Sequence, residues 1–182
     1  MHALDWLGDL AQWLLALVPR LQHIRQTHGA VRFTRHHAVV LKPGLHLYWP
    51  VWSSIQTLCV VRQTLNLPYQ CLMASDGVGV VVAVTVVYEI DDVGAALTTT
   101  DNITDTIGDI AQWAIKRVIS AYSSTELRTG VTATGRKIDG IIRAKLAADL
   151  KTYGVLVRQA FICEFSTPRF FRVMGADSVT HG

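Results

Sequence analysis

From Val78 to Ile90 the chain runs for thirteen residues, seven of them valine. Val78, Val80, Val82, Val84, Val86, Tyr88 and Ile90 alternate with Gly79, Val81, Ala83, Thr85, Val87 and Glu89. Strand side chains point alternately to two faces, and here both faces are apolar over most of the length. The pattern predicts a central strand covered on both sides. Just before it, Asp76-Gly77 is a hairpin signal, since glycine tolerates positive φ and aspartate caps the turn. Gln70-Cys71-Leu72-Met73 is then the returning strand.

The remaining elements follow from punctuation and periodicity. Ala30 to Leu41 reads as a strand or strand pair. Pro43-Gly44 forces a turn into Leu45–Trp49, which Pro50 ends. Gln56 to Leu67 reads as one strand, broken by Pro68, and Asp91-Asp92 reads as a helix cap. Asp101 is the expected N-cap of a helix whose apolar face holds Ile103, Ile107, Ile110, Ala111, Ala114, Val118 and Ala121. Asp105 and Asp109 sit in its first turns, where the helix dipole favours acids. Trp113 falls off that face, near Asp109 and Lys116, as either a contact anchor or the rim of the core.

A second helix is expected from Thr132 to Tyr153, with Ile138, Ile141, Ile142, Leu146 and Leu150 buried and Asp139–Arg143 as an i,i+4 pair. Gly154 is its stop. In the last strand, Val155 to Phe165, the inward positions are Val155, Val157, Ala160, Ile162 and Phe165; their uneven spacing predicts a bulge. The fold class is α+β, a mostly antiparallel sheet packed by two or more helices.

The N-terminus is different in kind. Leu4, Trp6, Leu7, Leu10, Trp13, Leu14 and Leu17 surround a narrow polar stripe of Asp5, Asp9 and Gln12 before Pro19. Sixteen helical residues reach only ~24 Å, short of the ~30 Å hydrocarbon core. The start lacks the positive charge and cleavage site of a secretory signal. An amphipathic helix lying in one leaflet is the expectation; packing on the body is the alternative. Arg20, Arg25, Arg32 and Arg35 follow, suited to anionic lipid head groups, and the same bias puts the body on the cytoplasmic face of the cell (inner) membrane. Tyr48, Trp49 and Trp52 form a second candidate membrane patch, the alternative being a strand end buried beneath a helix.

Charge comes in blocks. Residues up to Arg62 hold six Lys/Arg and two acids; Gln63 to Ile115 hold seven acids and no Lys or Arg; from Lys116 onward there are eleven basic and five acidic residues. Either folding mixes these blocks within a monomer, or the acidic block of one copy (Asp105, Asp109, with Trp113 and Lys116) meets basic residues such as Arg136 and Arg143 of the next.

In order and spacing these parts resemble the SPFH or Band 7 family: stomatins, prohibitins, flotillins and regulators of a membrane protease. The motifs are Pro43-Gly44-Leu45-His46 with Trp49-Pro50, Asp76-Gly77-Val78, Asp91-Asp92 with Ala95, Ala111-Gln112, Arg136, and Gly154-Val155-x-Val157. The resemblance implies an anchor and basic linker over 1–29, an SPFH domain over 30–165 and a short tail over 166–182. Family members usually continue into a long coiled coil; after Phe165 this sequence has Pro168 and no heptads, so assembly is expected to rest on the domain and the N-terminal helix. The implied function is a monotopic, self-associating membrane scaffold, or a regulator of a membrane protease or other membrane complex; a soluble protein whose N-terminal helix docks in a partner groove is the remaining alternative.

Catalytic chemistry is not expected. His36-His37 reads as two neighbours in a strand, pointing to opposite faces, and Gly77-x-Gly79 lacks the strand-to-helix context of a phosphate loop. The three cysteines, Cys59, Cys71 and Cys163, are scattered among apolar residues and fit buried thiols in a reducing compartment. No cofactor or metal is implied. Arg136, Lys137, Arg143, Lys145 and Lys151 could touch phosphates, but Asp139 and Asp149 interrupt them, so no nucleic-acid partner is expected.

Overall fold

The valine strand organises the architecture. A computed structural model describes residues 18–167. The expected anchor residues Leu4 to Leu17 and the tail from Pro168 lie outside the described residues. Among the described residues nine strands are formed: β1 (Arg20–Ile24), β2 (His28–Thr34), β3 (Ala38–Leu41), β4 (Gly44–Tyr48), β5 (Ser53–Cys59), β6 (Gln63–Asn66), β7 (Gln70–Met73), β8 (Gly79–Ile90) and β9 (Val155–Ser166). Between β8 and β9 come α1 (Val93–Thr99), α2 (Ile103–Ile119), α3 (Ser124–Thr129), α4 (Ile138–Leu150) and a 3-10 turn, Lys151–Tyr153.

All pairings are antiparallel. β8 is central: β6 and β7 pair with successive parts of one edge, and β9 pairs along the other. A second sheet has the order β3-β2-β5, and β1 pairs with β4 as a two-stranded ribbon. The Asp76-Gly77 hairpin forms as expected, with Met73 opposite Gly79 and Gly77 at φ 75°. Asp76 also reaches across to the first turn of α3, where the Ser124 backbone N–H and hydroxyl donate to its Oδ2 at 2.9 and 2.6 Å. Those two bonds hold the Asp76 carboxyl below the usual carboxylate range.

One face of β8 carries Val80, Val82, Val84, Val86, Tyr88 and Ile90, all buried. Val155, Val157, Ala160, Ile162 and Phe165 of β9 share that face, as their spacing foretold. Two register shifts, at Ala83/Val84 and Val87/Tyr88, keep them there by placing an extra residue in β9 each time. Ile107, Ile115 and Ile119 of α2 and Ile138, Ile142, Leu146 and Leu150 of α4 close the core from above. Both helices use this one face. The other, carrying Val81, Ala83 and Val87, is only half-buried, so the expected cover on both sides is corrected to one.

Other boundaries shift for local reasons. The single strand expected over Gln56–Leu67 is two, β5 and β6, parted at Val60–Arg62. Part of the expected linker is strand β1. The cap of α2 is Asn102, whose side-chain oxygen accepts from the Asp105 N–H, and not Asp101. The second long helix begins at Ile138, because residues 130–137 form a turn with Gly135 at φ 76° and a bridge between Val131 and Lys137. Asp139 accepts from the Ile162 N–H at 3.1 Å, and the i,i+4 ion pair on α4 is Lys145–Asp149, at 2.9 Å. His36 and His37 lie in the β2–β3 loop rather than in a strand. Asp92 does cap α1, accepting from the Ala95 N–H at 3.0 Å.

Gly154 stops the α4 segment at φ 68°, and its carbonyl accepts from the Asp91 and Asp92 N–H groups at 2.9 and 3.1 Å. A Cβ there would collide with the Asp92 carbonyl oxygen, whereas one at Gly77 would meet open space. Gly154→Ala is therefore expected to lower stability by about 2–4 kcal/mol, from left-handed strain plus the clash, and Gly77→Ala by only about 1 kcal/mol. Urea unfolding of the two variants checks the contrast.

Candidate functional site

The β1–β4 ribbon sorts its side chains by face. Leu21 stands opposite Leu47 and His23 opposite Leu45, so these four share one face; Arg20, Gln22, Ile24, His46 and Tyr48 take the other. Ile24 is buried and roots the ribbon in the body. The leucine face is largely exposed: Leu21 and Leu45 are each 65% exposed and Leu47 is 55% exposed. Each such side chain would gain about 1.5–3 kcal/mol on full burial. An isolated two-stranded ribbon is marginal in water, so a second apolar surface would stabilise it.

The two tryptophans sit where β4 ends. The Ser53 N–H and hydroxyl both donate to the Trp49 carbonyl, at 2.9 and 3.1 Å, closing a tight turn through Pro50. That turn brings the Trp49 and Trp52 rings to 6.5 Å between centroids. Trp52 is 64% exposed, which overturns the buried-strand-end alternative for it; Tyr48 is half-buried. Val51 extends the exposed apolar surface.

Along this stretch of the sequence the charge has one sign. No acid occurs between Leu10 and Arg62. Arg20, Arg25, Arg35 and Lys42 are exposed. Arg32, expected with the head-group residues, lies instead in the middle strand of the β3-β2-β5 sheet and is half-buried, with its Nε unpartnered. Glu89, beyond this region, is bonded to Arg158 and has Arg62 4.0 Å away. These partners, Arg158 first, hold the Glu89 carboxyl below its ordinary range. Part of the acidic block is thus neutralised within the monomer.

The residues expected at an oligomer interface lie on the outside of the helical layer. Asp105, Asp109, Trp113 and Lys116 are exposed on α2; Arg136 precedes α4 and Arg143 lies on it, both exposed. Trp113 is 64% exposed, which decides against the rim-of-core alternative. The Arg117 guanidinium lies 5.8 Å from its ring centroid. Grooves of about 370 Å³, toward α4, and about 590 Å³, toward β7, flank it.

The sequence reading missed Leu21 and Leu45, and had Leu47 only as part of the aromatic patch with Tyr48, Trp49, Val51 and Trp52. Leu45-x-Leu47 has strand alternation, but only the pairing with β1 shows that both faces of the ribbon carry different chemistry. Among the described residues, no three His, Cys, Asp or Glu side chains could together hold a metal ion, and no helix is long and apolar enough to cross a membrane. Cys71 and Cys163 are exposed, not buried.

The central antiparallel strand, helices on one face and bulged last strand agree with a family match. The model of the SPFH domain / Band 7 family matches residues 22–175. The chain belongs to this family. Its matched region begins within β1 and takes in every later element of the fold. No curated protein matches the chain.

Because Leu45 and Leu47 contact water and not the core, the double substitution Leu45→Glu/Leu47→Glu is expected to change unfolding free energy by less than about 1 kcal/mol. Urea denaturation tests this, and a large loss would place these side chains in the fold's own packing.

Proposed function

We propose that this SPFH protein is a membrane-associated, self-assembling scaffold at the cytoplasmic face of the cell membrane, organising microdomains or membrane protein complexes. The observation that carries this reading is the exposed leucine ribbon beside Trp49 and Trp52, set in a region with basic residues and no acids. Apolar side chains gain by entering the interface, tryptophans suit the head-group level, and arginines are drawn to anionic lipid. The amphipathic residues Leu4, Trp6, Leu7, Leu10, Trp13, Leu14 and Leu17 add a second anchor in the same terminal region of the sequence. Membrane scaffolding or regulation, and not catalysis, is the general role of the family.

Regulation of a membrane protein partner is the second reading. It is favoured by the half-buried face of the β8–β9 sheet, where Val81, Val87, Leu156 and Phe161 stand half-buried or exposed. A stoichiometric partner in mild-detergent extracts would support it; rings of the chain alone would support the scaffold.

Flotation with anionic liposomes is the direct experiment. The full chain is expected to float, the Leu45→Glu/Leu47→Glu variant to float less, and a version lacking Met1 to Val18 least of all. Raising ionic strength to about 1 M, where the Debye length is only ~3 Å, is expected to weaken the arginine contribution and leave the apolar one. Equal recovery of all three proteins at the bottom of the gradient would defeat the membrane reading.

A further inference from the structure

The outer face of α2 has an order of charges with a geometric consequence. Asp109 lies four residues before Trp113, and Arg117 lies four residues after it. Spacing of four places all three in one ridge along the helix. All three are exposed. Among the described residues, neither Asp109 nor Lys116 has an ion-pair partner, and Arg117 has only the Trp113 ring. The ridge therefore reads acid, tryptophan, base, with the tryptophan at its centre.

We infer that this ridge is a self-docking surface for a second copy of the chain, packed antiparallel about a two-fold axis that passes close to Trp113. Such an axis reverses the helix direction, so Asp109 of each copy falls opposite Arg117 of the other, and one favourable contact is made twice. A parallel arrangement would set acid on acid and base on base. Both tryptophans meet near the axis, where the roughly 370 Å³ groove lined by Ile110, Ala114 and Asp149 gives the incoming indole a place beside the resident one. A large aromatic at the centre, ringed by complementary charges, is the usual make-up of an interface hot spot.

The neighbouring helix follows the same polarity. α2 ends at the β7–β8 hairpin, where the Ser75 N–H donates to the Tyr122 carbonyl at 3.0 Å. α4 leads into β9, whose first residue pairs with Ile90 at the far end of β8. The two helices thus run in opposite directions. Asp105 and Asp109 lie toward one end of the layer, and Lys116, Arg117, Arg136 and Lys137 toward the other; Asp149 is already paired with Lys145. Reversing one layer over another sets Asp105 and Asp109 toward the basic end. The contact deepens the self-assembly part of the scaffold reading and does not depend on the lipid part.

The test uses the full chain in detergent micelles, with protein mass measured by light scattering after gel filtration. The wild type is expected at a multiple of 20.1 kDa, and Trp113→Ala at half that multiple. Asp109→Arg and Arg117→Asp each make the contact repulsive twice, so each alone is expected to halve the mass. Mixing these two variants sets two introduced charges against complementary ones and is expected to restore the mass, an outcome that a folding defect cannot produce. A wild type that is monomeric, or an oligomer indifferent to both charge reversals, overturns the interface. Flotation of the same samples reads the membrane reading separately: an oligomer that floats but ignores the substitutions sinks only the interface, and one that switches but does not float sinks only the lipid part.

Discussion

The pairing of β8 with β9 is the contact on which the rest of the structure depends. It joins residues some seventy positions apart in the chain, and everything between them is helix or turn that must return to the same sheet. Closing so long a connection costs conformational entropy that only non-local burial can offset. The burial comes from one apolar face shared by both strands, with isoleucines and leucines of α2 and α4 laid over it. Two bulges in β9 keep its apolar side chains on that face. Without the first, Ala160 and Ile162 would turn to the open side; without the second, Phe165 would.

Because both helices sit on one face, the molecule has three kinds of surface. The helical layer is charged and carries the Trp113 ridge. The opposite face of the main sheet is half-covered and is tied at its margins by Glu89 with Arg158 and by the Tyr69 hydroxyl donating to Glu164 at 2.9 Å. The N-terminal ribbon is apolar on one side and basic around it. A lipid contact and a protein contact compete for different physics, dehydration of leucine in one case and charge matching around an aromatic in the other. Under the proposed function, their separation onto different surfaces would let one chain hold a membrane and a neighbour at once.

Much of the core was legible from sequence. The valine alternation, the Asp76-Gly77 hairpin, the Asp92 cap, the Gly154 stop and the inward set of the last strand all rest on local rules of backbone and periodicity, and the structure places them accordingly. The misread boundaries share another cause. Gly135 and the Thr132 turn interrupt a segment whose composition suits a helix, with the Arg136 N–H held by the Thr132 hydroxyl at 3.0 Å. Asp101 and Asn102 are both good caps, and a one-residue difference in where the helix begins is below what composition resolves. Arg32 differs from Arg25 and Arg35 in being half-buried, a burial set by its place in the middle strand of three.

By itself the sequence determined the valine strand, the two long helices and the last strand, where their apolar faces lie, the family, and the one-sided charge of the N-terminal region. These depend on residue order over short windows. Tertiary structure decided which faces are covered. Leu21, Leu45 and Leu47 became a single exposed surface only because β1 pairs with β4 in a register that aligns them. Trp113 became a surface ridge only because α2 turns its isoleucines to the sheet. Cover is a property of partners brought together from distant parts of the chain, and no local window contains them.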